Sequence, residues 1–190
     1  LAERGVHYLL PSYVDMHGAS KAKMVPIGHF EQMMAGSELF TGAALEGVPQ
    51  DVSEEEIASH PDPSSCLILP WQQDVAWFAS DLMCRGAPFE ACSRTILNRV
   101  RARAARAGYG MNLGMEAEFF VFDDVRFDVQ MNLCFYEFES DEGPYVSGKI
   151  FDEGNIGHRP PAKGGYFPVP PVDSGSDLRA EMVTVMKEMG

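Results

Sequence analysis

The sequence predicts an α+β protein, with short strands and short helices alternating in its first half and longer helices set among strands in its second. Three observations carry this expectation. Of 190 residues, 45% are hydrophobic and 11% aromatic, enough to bury a core as one large domain or two modest ones. Apolar residues alternate with a period of two around residues 6–16, 66–70, 75–82 and 112–122, as on half-buried strands. Helical spacing replaces that alternation in residues 27–34, 89–107 and 174–189, and no internal repeat appears.

Charge narrows the possible partners. The net charge is −13 and the isoelectric point about 4.7, which argues against a nucleic acid or an anionic membrane as the main partner, because either needs a basic patch. The nearest approach to one is residues 94–106. No secretory pattern opens the sequence and no apolar run reaches the roughly 18 residues of a membrane span, so a soluble, cytoplasmic protein is expected. Cys66, Cys84, Cys92 and Cys134 show no Cys-x-x-Cys spacing and are too few for a disulfide scaffold, and are expected as buried free thiols.

In chain order, residues 6–16 read as a strand. The polar turn from Asp15 to Ser20 then folds the chain back toward Pro26 as a hairpin. Residues 27–34 form a short amphipathic helix that ends near Gly36, and 37–62 is a long irregular segment. Inside that segment Ser53 followed by Glu56 fits a capping box and predicts a helix start. Strands follow at 66–70 and 75–82, completing a small unit over residues 1–84.

A second unit, residues 85–190, opens with a loop and Pro88, placed to start the helix over 89–107. Ile96, Leu97 and Val100 mark that helix's apolar face, and its arginines read as a solvated one. Gly108 and Gly110 end it. Residues 112–122 read as a buried strand carrying Glu116 and Glu118 on one face, roughly 6.6–7 Å apart at Cα. No basic residue lies between Asn112 and Asp124. Carboxylates withdrawn from water must protonate, find cations or bind metal, and hard oxygen donors suit Mg²⁺ or Mn²⁺. The competing reading is a half-solvated strand whose outer face carries glutamates.

A partner strand is expected near residues 132–138, and the turn-rich, acidic stretch 140–159 is expected to be a mobile loop. Residues 163–173 place two glycines ahead of Tyr166, Phe167 and three prolines, a composition suited to a rigid pocket wall or to an ordinary proline-rich connection. A helix over 174–189, capped by Asp173 or Ser174, closes the sequence.

Gly114-Met-Glu-Ala-Glu-Phe-Phe120, Lys163-Gly-Gly-Tyr-Phe-Pro-Val-Pro-Pro-Val-Asp-Ser174 and Asp177-Leu-Arg-Ala-Glu-Met182 resemble the glutamine synthetase family in order and spacing. Val14-Asp-Met-His-Gly-Ala-Ser-Lys-Ala-Lys-Met-Val-Pro26 resembles that family's first hairpin. Ala44-Leu-Glu-Gly47 and His60-Pro-Asp62 resemble its Asp-Gly loop and the Pro-Asp that ends it. The likeness extends over nearly the whole chain.

The resemblance implies a small β-grasp N-terminal domain over residues 1–84, followed by the beginning of a glutamine synthetase-like catalytic domain over 85–190. It implies an ATP-dependent ligase that forms a γ-glutamylamide from glutamate and ammonia through γ-glutamyl phosphate. Glu116 and Glu118 would be metal ligands for Mg²⁺ or Mn²⁺, Gly114 would contribute to ATP binding, and Glu46 and Tyr166 would line the amine pocket. It further implies a ring-shaped homo-oligomer in which the Glu46 loop reaches a neighbouring subunit. The family's other metal ligands and its ATP and glutamate sites lie downstream of this stretch, so the 190-residue chain alone is expected to be inactive. The family's Asp-Gly-Ser-Ser is replaced by Glu46-Gly47-Val48-Pro49, which leaves open a small alkylamine as acceptor, as in γ-glutamylmethylamide synthetases. A non-catalytic family fragment acting as an assembly module is the alternative from another class.

Overall fold

A computed structural model describes residues 1–140, 142–143 and 159–190. The chain forms two compact units, Leu1–Leu113 with Glu188–Gly190, and Gly114–Lys187. Most of the 140–159 stretch, expected as a mobile loop, lies outside the described residues.

The first unit is built on strand β7 (Gln72–Cys84), whose 13 residues run through the middle of a mixed sheet. Its first half pairs in parallel with β1 (Tyr8–Val14), in the register Tyr8 to Val75 and Ser12 to Ala79, and antiparallel with β6 (Leu67–Leu69). Its second half pairs antiparallel with β5 (Ile57–Pro61) and with the two-residue β8 (Ala87–Pro88). On the far side of β1 lie β2 (Ser20–Ala22) and β3 (Val25–Pro26), and β4 (Glu38–Phe40) borders β5. The expected hairpin and the strands at 66–70 and 75–82 are all present.

Because β7 is shared, the core divides along it. Alternate residues Ala76, Phe78, Ser80 and Leu82 are buried, as the pleat requires. One cluster joins Val6, Leu9, Val25, Ala76 and Phe78 to Met33 of helix α1 (Phe30–Met34). The other joins Tyr13, Ile57, Leu82 and Cys92, with Phe40, Leu45, Val48 and Phe89 packed against it. Helix α2 (Ser93–Arg106) follows Cys92, with only Thr95 of its own residues buried. Ile96, Leu97 and Val100 remain about half exposed, so the apolar face read from the sequence exists but is uncovered.

No helix forms at the expected capping box. Ser53 donates from both its amide and hydroxyl to Asp51 Oδ1, and Glu54 accepts from the Asp51 amide, which closes a turn. Strand β5 starts at Ile57, so Glu56 falls at a strand entrance and accepts from Thr41 Oγ1 instead. The acids favoured a helix start locally, but pairing with β7 decided the outcome.

In the second unit, β9 (Asp124–Val129) and β10 (Cys134–Glu139) form an antiparallel hairpin. The strand expected near 132–138 is β10, but its partner is β9 and not residues 112–122. Those residues have no ladder and are not a strand in the described structure. Helix α3 (Ser176–Met189) closes the unit with none of its residues buried.

Among the described residues no helix is long and apolar enough to cross a membrane. All four cysteines are free, but Cys92 alone is buried, while Cys66 and Cys134 are exposed. That corrects the expectation that all four would be internal.

Candidate active site

Glu46 lies in the first unit, on a loop anchored from both sides. Leu45 and Val48 turn into the second core cluster, and the Gln50 amide folds back to donate to the Glu55 carbonyl at 3.2 Å. Between the anchors, Gly47 takes a φ of +77°, in the left-handed region that a glycine adopts without penalty. There a Cβ would fall 1.5 Å from Met16 Sδ, so the loop backbone lies against the Met16 side chain of the β1–β2 turn. The Glu46 side chain is 84% exposed, and its Oε2 stands 3.2 Å from His17 Nε2.

The turn itself is tied by Asp15, whose Oδ1 accepts from the amides of His17 and Ala19, both at 2.9 Å. Partial withdrawal from water pushes the Asp15 carboxyl up, but those two amides and the nearby Lys21 ammonium bring it below its ordinary value. Beneath the loop the Tyr13 ring stacks edge-on against Phe40, centroids 4.9 Å apart. Its hydroxyl is buried with no partner among the described residues. Burial, and then the negative charge of Asp15, push that phenol up to about 12.

Arg94 at the start of α2 departs from the solvated role expected of that helix's arginines. It donates to Asp62, just after β5, and its Nε faces Asp81 of β7 at 3.1 Å, an ion pair rather than an aligned hydrogen bond. The Asp62 carboxyl also accepts from the Ser64 hydroxyl and amide. The Ser64 hydrogen bonds chiefly, with help from Arg94, hold it below the usual carboxylate range. Sequence reasoning missed this clamp and the His17–Glu46 contact. A lone Arg at a helix start and a His in a turn carry no periodic signal, and only the two Asp-containing turns hinted at them.

The other site residues lie in the second unit. Gly114, Glu116 and Glu118 are all exposed in the unpaired run before β9. Neither glutamate makes a hydrogen bond or ion pair among the described residues, so nothing there neutralises them. Two unneutralised carboxylates are a fit beginning for a divalent-cation site. They are only part of one, because among the described residues no three His, Cys, Asp or Glu side chains converge.

Glu118 lines a cleft of about 600 Å³ together with Phe119, Phe120, Phe122, Leu178 and Arg179. Tyr166, Phe167 and Asp173 wall an adjoining cleft of about 500 Å³, and Glu142, Pro160 and Arg179 line both. The wall is well defined. Tyr166 and Phe167 meet edge-on at 4.8 Å, and Phe167 and Lys163 hold positive φ values of 48° and 63°. The unusual φ falls on these two and on neither Gly164 nor Gly165. Gly164 is needed for another reason: a Cβ there would lie 2.9 Å from the Pro161 carbonyl oxygen. At the α3 end, Arg179 pairs with Asp173, and its Nη1 would lie 2.9 Å from a Cβ on Gly175.

The family model of the glutamine synthetase catalytic domain matches residues 90–190, which contain Glu116, Glu118, Tyr166 and the proline-rich wall. The chain belongs to the glutamine synthetase family. The glutamine synthetase of Azospirillum brasilense is 43% identical over 168 residues, covering 84% of this chain and 35% of that protein. Among solved structures, the ADP complex of GmaS is 34% identical with a TM-score of 0.53, covering 56% of this chain and 24% of that one. The glutamine synthetase of Plasmodium falciparum, solved by cryo-electron microscopy, has a TM-score of 0.75 over 98% of this chain and 38% of that one. At 15% identity that last likeness is one of fold. The chain spans about two fifths of the length of the curated glutamine synthetases it matches, from 35% to 42%.

Proposed function

We propose that the protein carrying this chain is an ATP-dependent ligase that joins the γ-carboxylate of glutamate to an amine through γ-glutamyl phosphate. The observation that carries the reading is a pair of unneutralised carboxylates, Glu116 and Glu118, in a family member that also retains the Tyr166 wall. On this reading residues 1–84 are a β-grasp domain and residues 85–190 the start of the catalytic domain.

Two anions must meet in the first step, since a glutamate γ-carboxylate oxygen attacks the γ-phosphorus of ATP and ADP leaves. Glu116 and Glu118, with donors from elsewhere in the protein, would hold Mg²⁺ or Mn²⁺, which supplies charge neutralisation when bound. Gly114 beside them offers backbone without a side chain where ATP approaches. In the second step the amine nitrogen attacks the acyl carbon and phosphate leaves, while the amine gives up a proton. Glu46, an exposed carboxylate on an anchored loop, suits binding an ammonium group and accepting that proton. Tyr166 walls the pocket that receives it. A ring-shaped homo-oligomer in the cytoplasm, with Glu46 of one subunit serving the Tyr166 pocket of the next, completes the proposal.

Ammonia is the acceptor for most of the family. An alkylamine is the second reading, favoured by Glu46-Gly47-Val48-Pro49. In that run Val48 packs inward and an exposed proline stands where the family pattern has a serine. The 34% identity to GmaS supports it. The test is to supply the complete protein with ATP, Mg²⁺, glutamate and either ammonia or methylamine, and to weigh the products. Amine-dependent ADP release with one γ-glutamylamide per ADP is expected. No ADP release with either amine would overturn the ligase reading in favour of a non-catalytic assembly role, and glutamate-independent ADP release would overturn it in favour of an ATPase.

A further inference from the structure

The contact between the β1–β2 turn and the Glu46 loop is more than a chance meeting of surface groups. Gly47 at φ +77° lies against the side chain of Met16, the residue before His17, so the loop touches the turn beside His17. Asp15 fixes the turn by accepting from the His17 and Ala19 amides. Lys21, the nearest cation on β2, has its Nζ 3.5 Å from Asp15 Oδ2, which leaves His17 to meet Glu46. Nε2 stands 3.2 Å from Oε2. Oε1 has no partner among the described residues. A glutamate on a loop tip has three side-chain torsions to lose on binding a ligand, and a fixed neighbour removes part of that cost in advance.

We infer that His17 is a positioning residue for the amine site: it grips one oxygen of Glu46 and presents the other to the incoming ammonium group. The inference rests on the proposed role of Glu46 as the amine-binding acid. It deepens that role by explaining how an acid one methylene longer than aspartate is held to a single orientation. His17 itself touches neither substrate nor cation.

The experiment is a double-mutant cycle on the complete protein, reading KM for methylamine and for ammonia alongside kcat. His17→Ala is expected to raise the acceptor KM about two- to fivefold, the scale of an exposed ion pair, and to lower kcat by less. His17→Gln, which keeps an amide donor within reach of Oε2, is expected to recover part of that loss. In a Glu46→Ala background, removing His17 should change the acceptor KM no further. If His17→Ala leaves the acceptor KM unchanged, or changes it equally with and without Glu46, the inference fails and Glu46 keeps its role. If Glu46→Ala does not raise the acceptor KM, the reading of Glu46 falls and the inference with it.

Discussion

Replacing Tyr13 by phenylalanine tests the packing beneath the Glu46 loop. Tyr13 is 4% exposed, lies edge-on to Phe40, and its buried hydroxyl has no partner among the described residues. Leaving such a group unpaired costs about 1–3 kcal/mol, so Tyr13→Phe, which keeps the ring contact, should stabilise the 190-residue chain by about 1 kcal/mol at pH 7. The effect grows with pH. The folded phenol stands at about 12 against an ordinary 10, so the unfolded chain releases this proton first. Stability is full below pH 10 and falls as pH rises through the folded value. At pH 11.5 that difference amounts to about 2 kcal/mol lost by the wild type and not by the variant. Urea unfolding of both proteins at pH 7, 10 and 11.5 gives the comparison, and groups other than Tyr13 cancel in the difference. Parallel stabilities across the range would mean that the hydroxyl reaches water or a partner, and that the cluster anchoring Leu45 and Val48 is looser than described.

Arg94→Leu should lower the urea midpoint at pH 7. Because the Asp62 carboxyl is depressed in the fold, its contribution is present above the ordinary value of about 3.9 and vanishes as pH falls, so the two midpoints should converge as pH drops below that value; a constant gap would refute the clamp. Gly47→Ala forces a side chain into a left-handed position and should cost about 1 kcal/mol while raising amide exchange in residues 44–48, measured by hydrogen exchange. In the complete protein Glu118→Gln should cut turnover by several orders of magnitude with an unchanged circular dichroism spectrum. Activity above about a tenth of wild type, a loss under 1.4 kcal/mol, would make that glutamate structural. The isolated 190-residue chain should show no glutamate-dependent phosphate release above that of its own Glu118→Ala variant.

The sheet was readable because its signals are local. Alternation at β1 and β7, the polar turn after Val14, and the helical spacing of α2 each involve near neighbours in sequence. Where partners are distant, local reading failed. Ser53 and Glu56 carry a helix-start pattern, yet β4 pairs with Ile57 and β7 with the residues after it, which makes a strand. Residues 112–122 carry a strand pattern, yet no ladder forms, and Met115 and Phe120 are 88% and 86% exposed. Such a run shows its own propensity but not its pairing. The site divides the same way. Glu116, Glu118 and the Tyr166 wall stood out as odd residues in regular patterns, while the His17–Glu46 contact and the Arg94 clamp join residues 13 or more positions apart from elements with no shared period. Tertiary contact, not propensity, brings those together.

The most direct test of the proposed chemistry follows an oxygen atom. Glutamate carrying ¹⁸O in its γ-carboxylate is given to the complete protein with ATP, Mg²⁺ and either ammonia or methylamine, and the released phosphate is analysed by mass spectrometry. If the carboxylate attacks the γ-phosphorus and the amine then displaces phosphate, one labelled oxygen passes from glutamate to phosphate in every turnover, and the amide keeps the other. Phosphate without label would contradict passage through γ-glutamyl phosphate.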